Sequence, residues 1–185
     1  TTYLATADAD ATVQAAATGG ATVLAPVMDV MTLGRMAVLA DPTGAVFGVW
    51  QAGDFFGAQV VNQPGALLWN DLSTSDPEAA SAFYSSTLGI GSEPMPGADG
   101  YYGLTVDGRT VGGLQGLGNM PPDTPPHWLP YFAVDDVDST VDALIRARGN
   151  VLVPPFDMVA GRIAVVQDPQ GGTFAVLKPV PMENG

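Results

Sequence analysis

Few side chains in this sequence can do chemistry. There is no cysteine and one histidine, and six basic residues stand against nineteen acidic ones. The lack of cysteine removes thiolate nucleophiles, disulfides and thiolate metal sites from consideration. His127 follows Pro125-Pro126 and precedes Trp128. An imidazole there offers a ligand or a general base. It has no carboxylates at matched spacing, so it makes a poor metal site, and the plainer reading is a loop-edge ring packed on Trp128. Asp71 is the carboxylate best placed to act as a base. Strand alternation puts it on the face of Trp69 and opposite Asn70 and Leu72, and a hydrogen-bonded structural role is again the plainer reading. Trp50, Trp69, Tyr101, Tyr102, Trp128 and Phe156 lie in or beside strand-like runs. Their flat apolar surfaces, with a few polar handles, suit a planar or aromatic ligand, although each taken singly serves a core as readily. Gly112-Gly113 and Gly116 lack the strand–helix context and following lysine of a phosphate loop.

The elements that must position these groups repeat. Residues 3–51 and 131–179 are two copies of one unit. Tyr3-Leu4-Ala5 aligns with Tyr131-Phe132-Ala133, and Val23-Leu24-x-Pro26 with Val151-Leu152-x-Pro154. Gly34-Arg35 aligns with Gly161-Arg162, and Asp41-Pro42-x-Gly44 with Asp168-Pro169-x-Gly171. Each copy reads β-α-β-β-β. Asp10 or Asp138 is expected to cap the helix. A short strand ending at proline follows, and the Asp-Pro-x-Gly turn joins the last two strands. Arg35 and Arg162 are expected to pair with Asp29 and Asp157. A diverged third unit lies between the copies. There Asp76-Pro77-Glu78 starts a helix, its buried stripe is Ala79, Ala80, Phe83, Tyr84 and Leu88, and Gly89 ends it. This divides the chain into units at 1–51, 66–118 and 127–180, joined by linkers at 52–65 and 119–126, the second rich in proline.

Composition excludes several roles. A net charge of −13 argues against nucleic acid. With 46% hydrophobic residues the chain can bury a substantial core. No apolar run reaches the length of a membrane span, and the N-terminus lacks a signal-peptide pattern. A cytoplasmic protein without membrane contact is the expectation.

Trp69-Asn70-Asp71-Leu72, Asp76-Pro77-Glu78-Ala79-Ala80, Phe83-Tyr84 and the paired Gly-Arg…Asp-Pro-x-Gly segments carry a resemblance. The chain resembles the vicinal oxygen chelate superfamily of glyoxalase I, bleomycin-resistance proteins and extradiol dioxygenases, and within it the tandem glyoxalase-like or hydroxylase-like proteins. The resemblance implies an α+β fold in which βαβββ units pair, so that curled mixed sheets form open cups with helices outside. Residues 66–180 would make one full domain. The unit at 1–51 would need a partner, either a further N-terminal unit or a second chain. The family's metal enzymes hold ligands on the first and last strands of each unit. Those positions fall here on Trp69, Leu129, Gly48, Ala175 and a residue near Gly113, none of which can ligate through its side chain. The expectation is a protein without metal, cofactor or catalytic residues, binding a small hydrophobic or aromatic molecule. Its cup would be lined by Trp50, Trp69, Asp71, Tyr101, Tyr102, His127, Trp128 and Phe156. The alternative is a lyase, isomerase, hydroxylase or dioxygenase-like enzyme of secondary metabolism.

Overall fold

A computed structural model describes residues 1–180. Three passes of β-α-β-β-β follow one another. The first module comprises β1 (Tyr3–Thr6), α1 (Ala9–Thr18), β2 (Thr22–Val30), β3 (Gly34–Ala40) and β4 (Val46–Ala52). The middle module comprises β5 (Leu67–Thr74), α2 (Pro77–Leu88), β6 (Gly91–Pro94), β7 (Tyr101–Val106) and β8 (Arg109–Gly116). After a single 3-10 turn, the last module comprises β9 (His127–Ala133), α3 (Val137–Arg146), β10 (Asn150–Met158), β11 (Gly161–Gln167) and β12 (Thr173–Pro179). This is an α+β fold of mixed, open sheets. Among the described residues no helix is long and apolar enough to cross a membrane.

Each helix starts on an aspartate, but in the outer modules it is one residue pair earlier than expected. Asp8, Asp76 and Asp136 accept from the backbone N–H of Ala11, Ala79 and Ser139 at 3.0, 3.0 and 2.8 Å. Asp10 and Asp138 lie inside the first turn, so their carboxylates point outward. Each meets the arginine of its own module, Asp10 with Arg35 and Asp138 with Arg162. Asp29 and Asp157 complete these pairs at 3.0 and 3.1 Å, as expected. One guanidinium thus ties the start of the helix to the β2–β3 or β10–β11 hairpin.

A second correction concerns proline. β2 and β10 do not stop at Pro26 and Pro154 but run through them. Both are edge strands, where a missing N–H costs no ladder bond. Register shifts near the prolines absorb the irregularity.

Compact unit 1 contains residues 1–57 and 70–128. Its strands are ordered β1-β4-β3-β2 and, separately, β5-β8-β7-β6. β1 runs parallel to β4 and β5 parallel to β8, while the hairpins are antiparallel. One core joins the first and middle modules: Ala16, Ala37, Leu39, Phe47 and Val49 pack with Leu72, Phe83, Tyr84, Leu104 and Leu114. Phe47 meets both Phe83 and Tyr84 edge-on, at 6.1 and 5.4 Å between ring centroids. Each fully buried side chain of this size contributes about 1.5–3 kcal/mol.

Compact unit 2 contains residues 58–69 and 129–180. Its strands are ordered β10-β11-β12-β9, and both sheet faces are apolar. On one face α3 places Val137 and Val141 against Ala164, Val166 and Val176. On the other, Leu129, Ile163, Ala175 and Leu177 are buried together, with Leu68 and Tyr131 packed on them.

Candidate functional site

In every module the first strand lies beside the last, and one pair of neighbours on these strands combines a large or polar residue with a small one. The pairs are Tyr3 with Gly48, Asp71 with Gly113, and Tyr131 with Ala175. At the two glycines the small residue is needed because another group fills the side-chain space. A Cβ at Gly48 would collide with the ring of Tyr3. A Cβ at Gly113 would collide with both the Tyr101 hydroxyl and the Asp71 carboxylate.

The middle pair is the chemically interesting one. Tyr101 on β7 reaches across Gly113 on β8, and its hydroxyl donates to Asp71 Oδ1 on β5 at 2.6 Å. Asp71 is only 5% exposed. A hydrogen bond of this length to a carboxylate is of the strong, charge-assisted kind. The tyrosine can span two strands only because the strand between them carries no side chain at that point. The result is a buried acid–phenol pair that can orient a ligand's polar group or hold a proton.

The remaining site candidates are dispersed. On β4, Trp50 donates from Nε1 to the Phe55 carbonyl at 2.9 Å and packs edge-on to Tyr3 and Phe55. Tyr102 points opposite to Tyr101 and packs on the unit 1 core beneath α2. His127 is half-buried, and its Nδ1 lies 2.8 Å from the Pro125 carbonyl, so that nitrogen carries the proton. Trp69 and Phe156 belong to unit 2. Trp69 is half-buried near the start of β5, and Phe156 is 43% exposed on the edge strand β10.

Trp128 sits in the unit 1 core, at the head of a polar chain that sequence reading did not anticipate. Its Nε1 donates to the Tyr84 hydroxyl at 2.9 Å, and that hydroxyl donates to Asp41 Oδ2 at 2.9 Å. Asp41 Oδ1 accepts from the hydroxyl and N–H of Thr43 and from the N–H groups of Gly44 and Ala45. Burial first, and then the Asp41 charge, push the Tyr84 phenol far above its ordinary range, while the Trp128 donor opposes this. Tyr84 therefore stays neutral and structural. Asp-Pro-x-Gly was visible in the sequence as a turn, but its partner 43 residues away was not.

The resemblance places metal ligands at positions whose residues here have no ligating side chain. Trp69, Leu129, Gly48, Ala175 and Gly113 offer no side-chain donor, and the space at Gly113 is taken by Tyr101 and Asp71. Among the described residues no three His, Cys, Asp or Glu side chains form a group able to bind an ion. A shallow depression of about 490 Å³ runs between α1 and α2 past Ala11, Gln14, Ala15, Ser86 and Thr87. It does not include Asp71 or Tyr101, and its walls carry no charged group.

Comparison with known proteins agrees with this architecture. The chain is 43% identical over 185 residues to CFP32 of Mycobacterium tuberculosis, which carries a provisional glyoxylase name, covering 98% of this chain and 70% of that protein. It is 41% identical over 183 residues to the anthracycline biosynthesis protein DnrV of Streptomyces peucetius, covering 96% of this chain and 65% of that protein. The chain thus spans about two thirds of the length of these relatives. Among solved structures, the Mn(II)-bound glyoxalase of Novosphingobium aromaticivorans matches 98% of this chain and 64% of its own, with TM-score 0.59 and 16% identity. The 2,3-dioxygenase LapB of Pseudomonas sp. KL28 matches 94% of this chain and 68% of its own, with TM-score 0.55 and 15% identity. These two share the fold. The family model matches residues 66–176, the middle and last modules. This chain belongs to the glyoxalase/bleomycin resistance protein/dioxygenase superfamily.

Proposed function

We propose that this protein binds a small, flat hydrophobic or aromatic molecule without a metal, and that the Asp71–Tyr101 pair orients it. One observation carries the reading: at Gly113 the space a ligating side chain would need holds a phenol and a carboxylate bonded to each other. That pair supplies the few placed polar groups that a mostly apolar binding site requires. The name of the anthracycline biosynthesis relative points toward polycyclic aromatic compounds as the ligand class. Sequestration needs no catalytic residue, so the absence of a ligating set is no obstacle.

The test is binding of a panel of polycyclic and simple aromatic compounds, read by quenching of tryptophan fluorescence. Tyr101→Phe removes the bond to Asp71 while keeping the ring, and it should weaken binding of the best compound about tenfold, equivalent to about 1.4 kcal/mol. Absence of quenching across the panel would count against the reading, as would stoichiometric metal bound by the purified protein. The second reading is an enzyme in which Asp71 moves a proton, favoured by its burial and short hydrogen bond. It requires turnover that Asp71→Asn abolishes while binding persists. Methylglyoxal with a thiol is the first substrate to try.

A further inference from the structure

In every module a small residue on the last strand pairs with a neighbour on the strand before it. In the outer modules that neighbour is valine, Val38 opposite Gly48 and Val165 opposite Ala175. In the middle module it is another glycine, Gly103 opposite Gly113. The Tyr101 hydroxyl and the Asp71 carboxylate account for Gly113, because they fill its side-chain space. Nothing so rigid accounts for Gly103. A Cβ there would first meet two side-chain atoms, Thr110 Cγ2 at 3.0 Å and Met95 Cγ at 3.4 Å. Thr110 is exposed and Met95 is 37% exposed, so both have room to give way. The backbone at Gly103 is not left-handed. The nearby register shift puts its extra residue, Val111, on β8 and not on β7. A glycine inside a strand weakens it. One without a steric need marks a place where another group comes close to the backbone.

Met95 is the group that comes close here. Its N–H donates to the Tyr101 carbonyl at 3.0 Å, so the two residues face each other where the β6–β7 hairpin leaves the ladder. Both side chains turn to the glycine face, Tyr101 over Gly113 and Met95 over Gly103. The Met95 backbone is thereby held in place. Its side chain is not, because an unbranched thioether has three rotatable bonds and adapts its shape readily.

We infer, resting on the binding role proposed above, that Met95 is the movable cover of a slot floored by Gly103, and that this slot selects fused-ring ligands over single rings. A polar group anchored at the Asp71–Tyr101 pair leaves the body of a ligand one strand spacing, about 4.8 Å, from Gly103. A single ring ends before that strand, whereas a second ring in the same plane reaches it. There the bare backbone lets a flat surface lie close, once Met95 turns aside. Such a turn is a side-chain rotation on the picosecond to nanosecond scale and requires no loop opening. The valine of the outer modules would fill the same slot.

Equilibrium dialysis of the full chain against phenol, naphthol and hydroxyanthraquinone tests this. The fused-ring compounds should bind about tenfold or more tightly than phenol, the scale of a well-packed apolar contact. Gly103→Val should erase that advantage while phenol binding stays within about twofold. Its fold, checked by far-UV circular dichroism, should persist, because the outer modules carry valine at this position. Gly103→Ala should act in the same direction by a smaller factor, and Met95→Ala should raise affinity for the fused-ring compounds alone. One measurement needs no altered slot. With isotope-labelled methionine methyl groups, the Met95 resonance, assigned by its loss in Met95→Leu, should move when naphthol is added and stay put with phenol. Equal losses for phenol and the fused-ring compounds, no loss in the folded Gly103 variants, or a Met95 resonance indifferent to naphthol would overturn the inference. The two readings fail differently. If no compound binds, or if Tyr101→Phe changes nothing, the binding role falls and the slot falls with it. If binding depends on Tyr101 but ring number does not matter, the slot alone falls.

Discussion

The Asp-Pro-x-Gly turns of the first and last modules are the same device in two surroundings. Asp41 and Asp168 both fold back to accept backbone N–H groups of their own turns. Asp168 is half-buried and does only that. Asp41 is 4% exposed and also accepts from the buried Tyr84 hydroxyl, which in turn receives Trp128. The aromatic residues behave alike: Phe47 is fully buried among Phe83 and Tyr84, while its counterpart Phe174 is half-buried beside Phe132. Local sequence builds the turn and the strand. What comes to lie against them converts one copy into the centre of a core and leaves the other at its margin.

Paired substitutions at matching positions are the direct way to break this comparison. Phe47→Ala should cost about 4 kcal/mol in urea unfolding, the middle of the range for a buried aromatic, and Phe174→Ala roughly half of that. Equal losses would show that burial does not separate the copies. Asp41→Ala strands the Tyr84 hydroxyl and several turn N–H groups, so about 3 kcal/mol should be lost. Asp168→Ala should cost about 1 kcal/mol, since water replaces the lost acceptor.

Alkaline titration sharpens the point further. Burial holds the folded-state pKa of Tyr84 above the ordinary phenol value of 10.0. Its stabilising contribution is therefore complete below that pH and is lost as pH rises above it. Spectrophotometric titration should show one tyrosine that ionises only together with unfolding, and Tyr84→Phe should remove that step. The smallest effect concerns the surface pairs that the two copies share. The hydrogen bond from Arg162 holds the Asp138 carboxylate below its ordinary range. Its contribution is present at neutral pH and fades as pH falls through that lowered value. Because the pair is exposed, Arg162→Met should move the thermal midpoint only slightly at neutral pH, and not at all in strong acid or high salt.

Much of the frame was legible in the residues. The β-α-β-β-β order, the three helices, the Gly89 terminus and the arginine–aspartate pairing were all readable. They depend on neighbours close in sequence and on periods of two and 3.6 residues. The choice of cap between Asp8 and Asp10 was not. Both are good capping residues, and only the helix register decides which lies outside the first turn. The prolines of β2 and β10 misled for a related reason: a proline forbids a central strand but not an edge, and edge status belongs to the sheet.

The candidate site divides the same way. The family resemblance implied metal positions that carry Trp, Leu, Gly and Ala here, and the sequence put Asp71 on a strand with Trp69. Residue types limited the chemistry to one imidazole, carboxylates and phenols. Only the tertiary structure joined Tyr101 to Asp71 over Gly113 and drew Trp128 and Tyr102 toward the core. A side chain's type and local period determine what it can bond to. Which partner it meets from 30 or 44 residues away depends on strand register and on what packs against the sheet, and those are set by the fold as a whole.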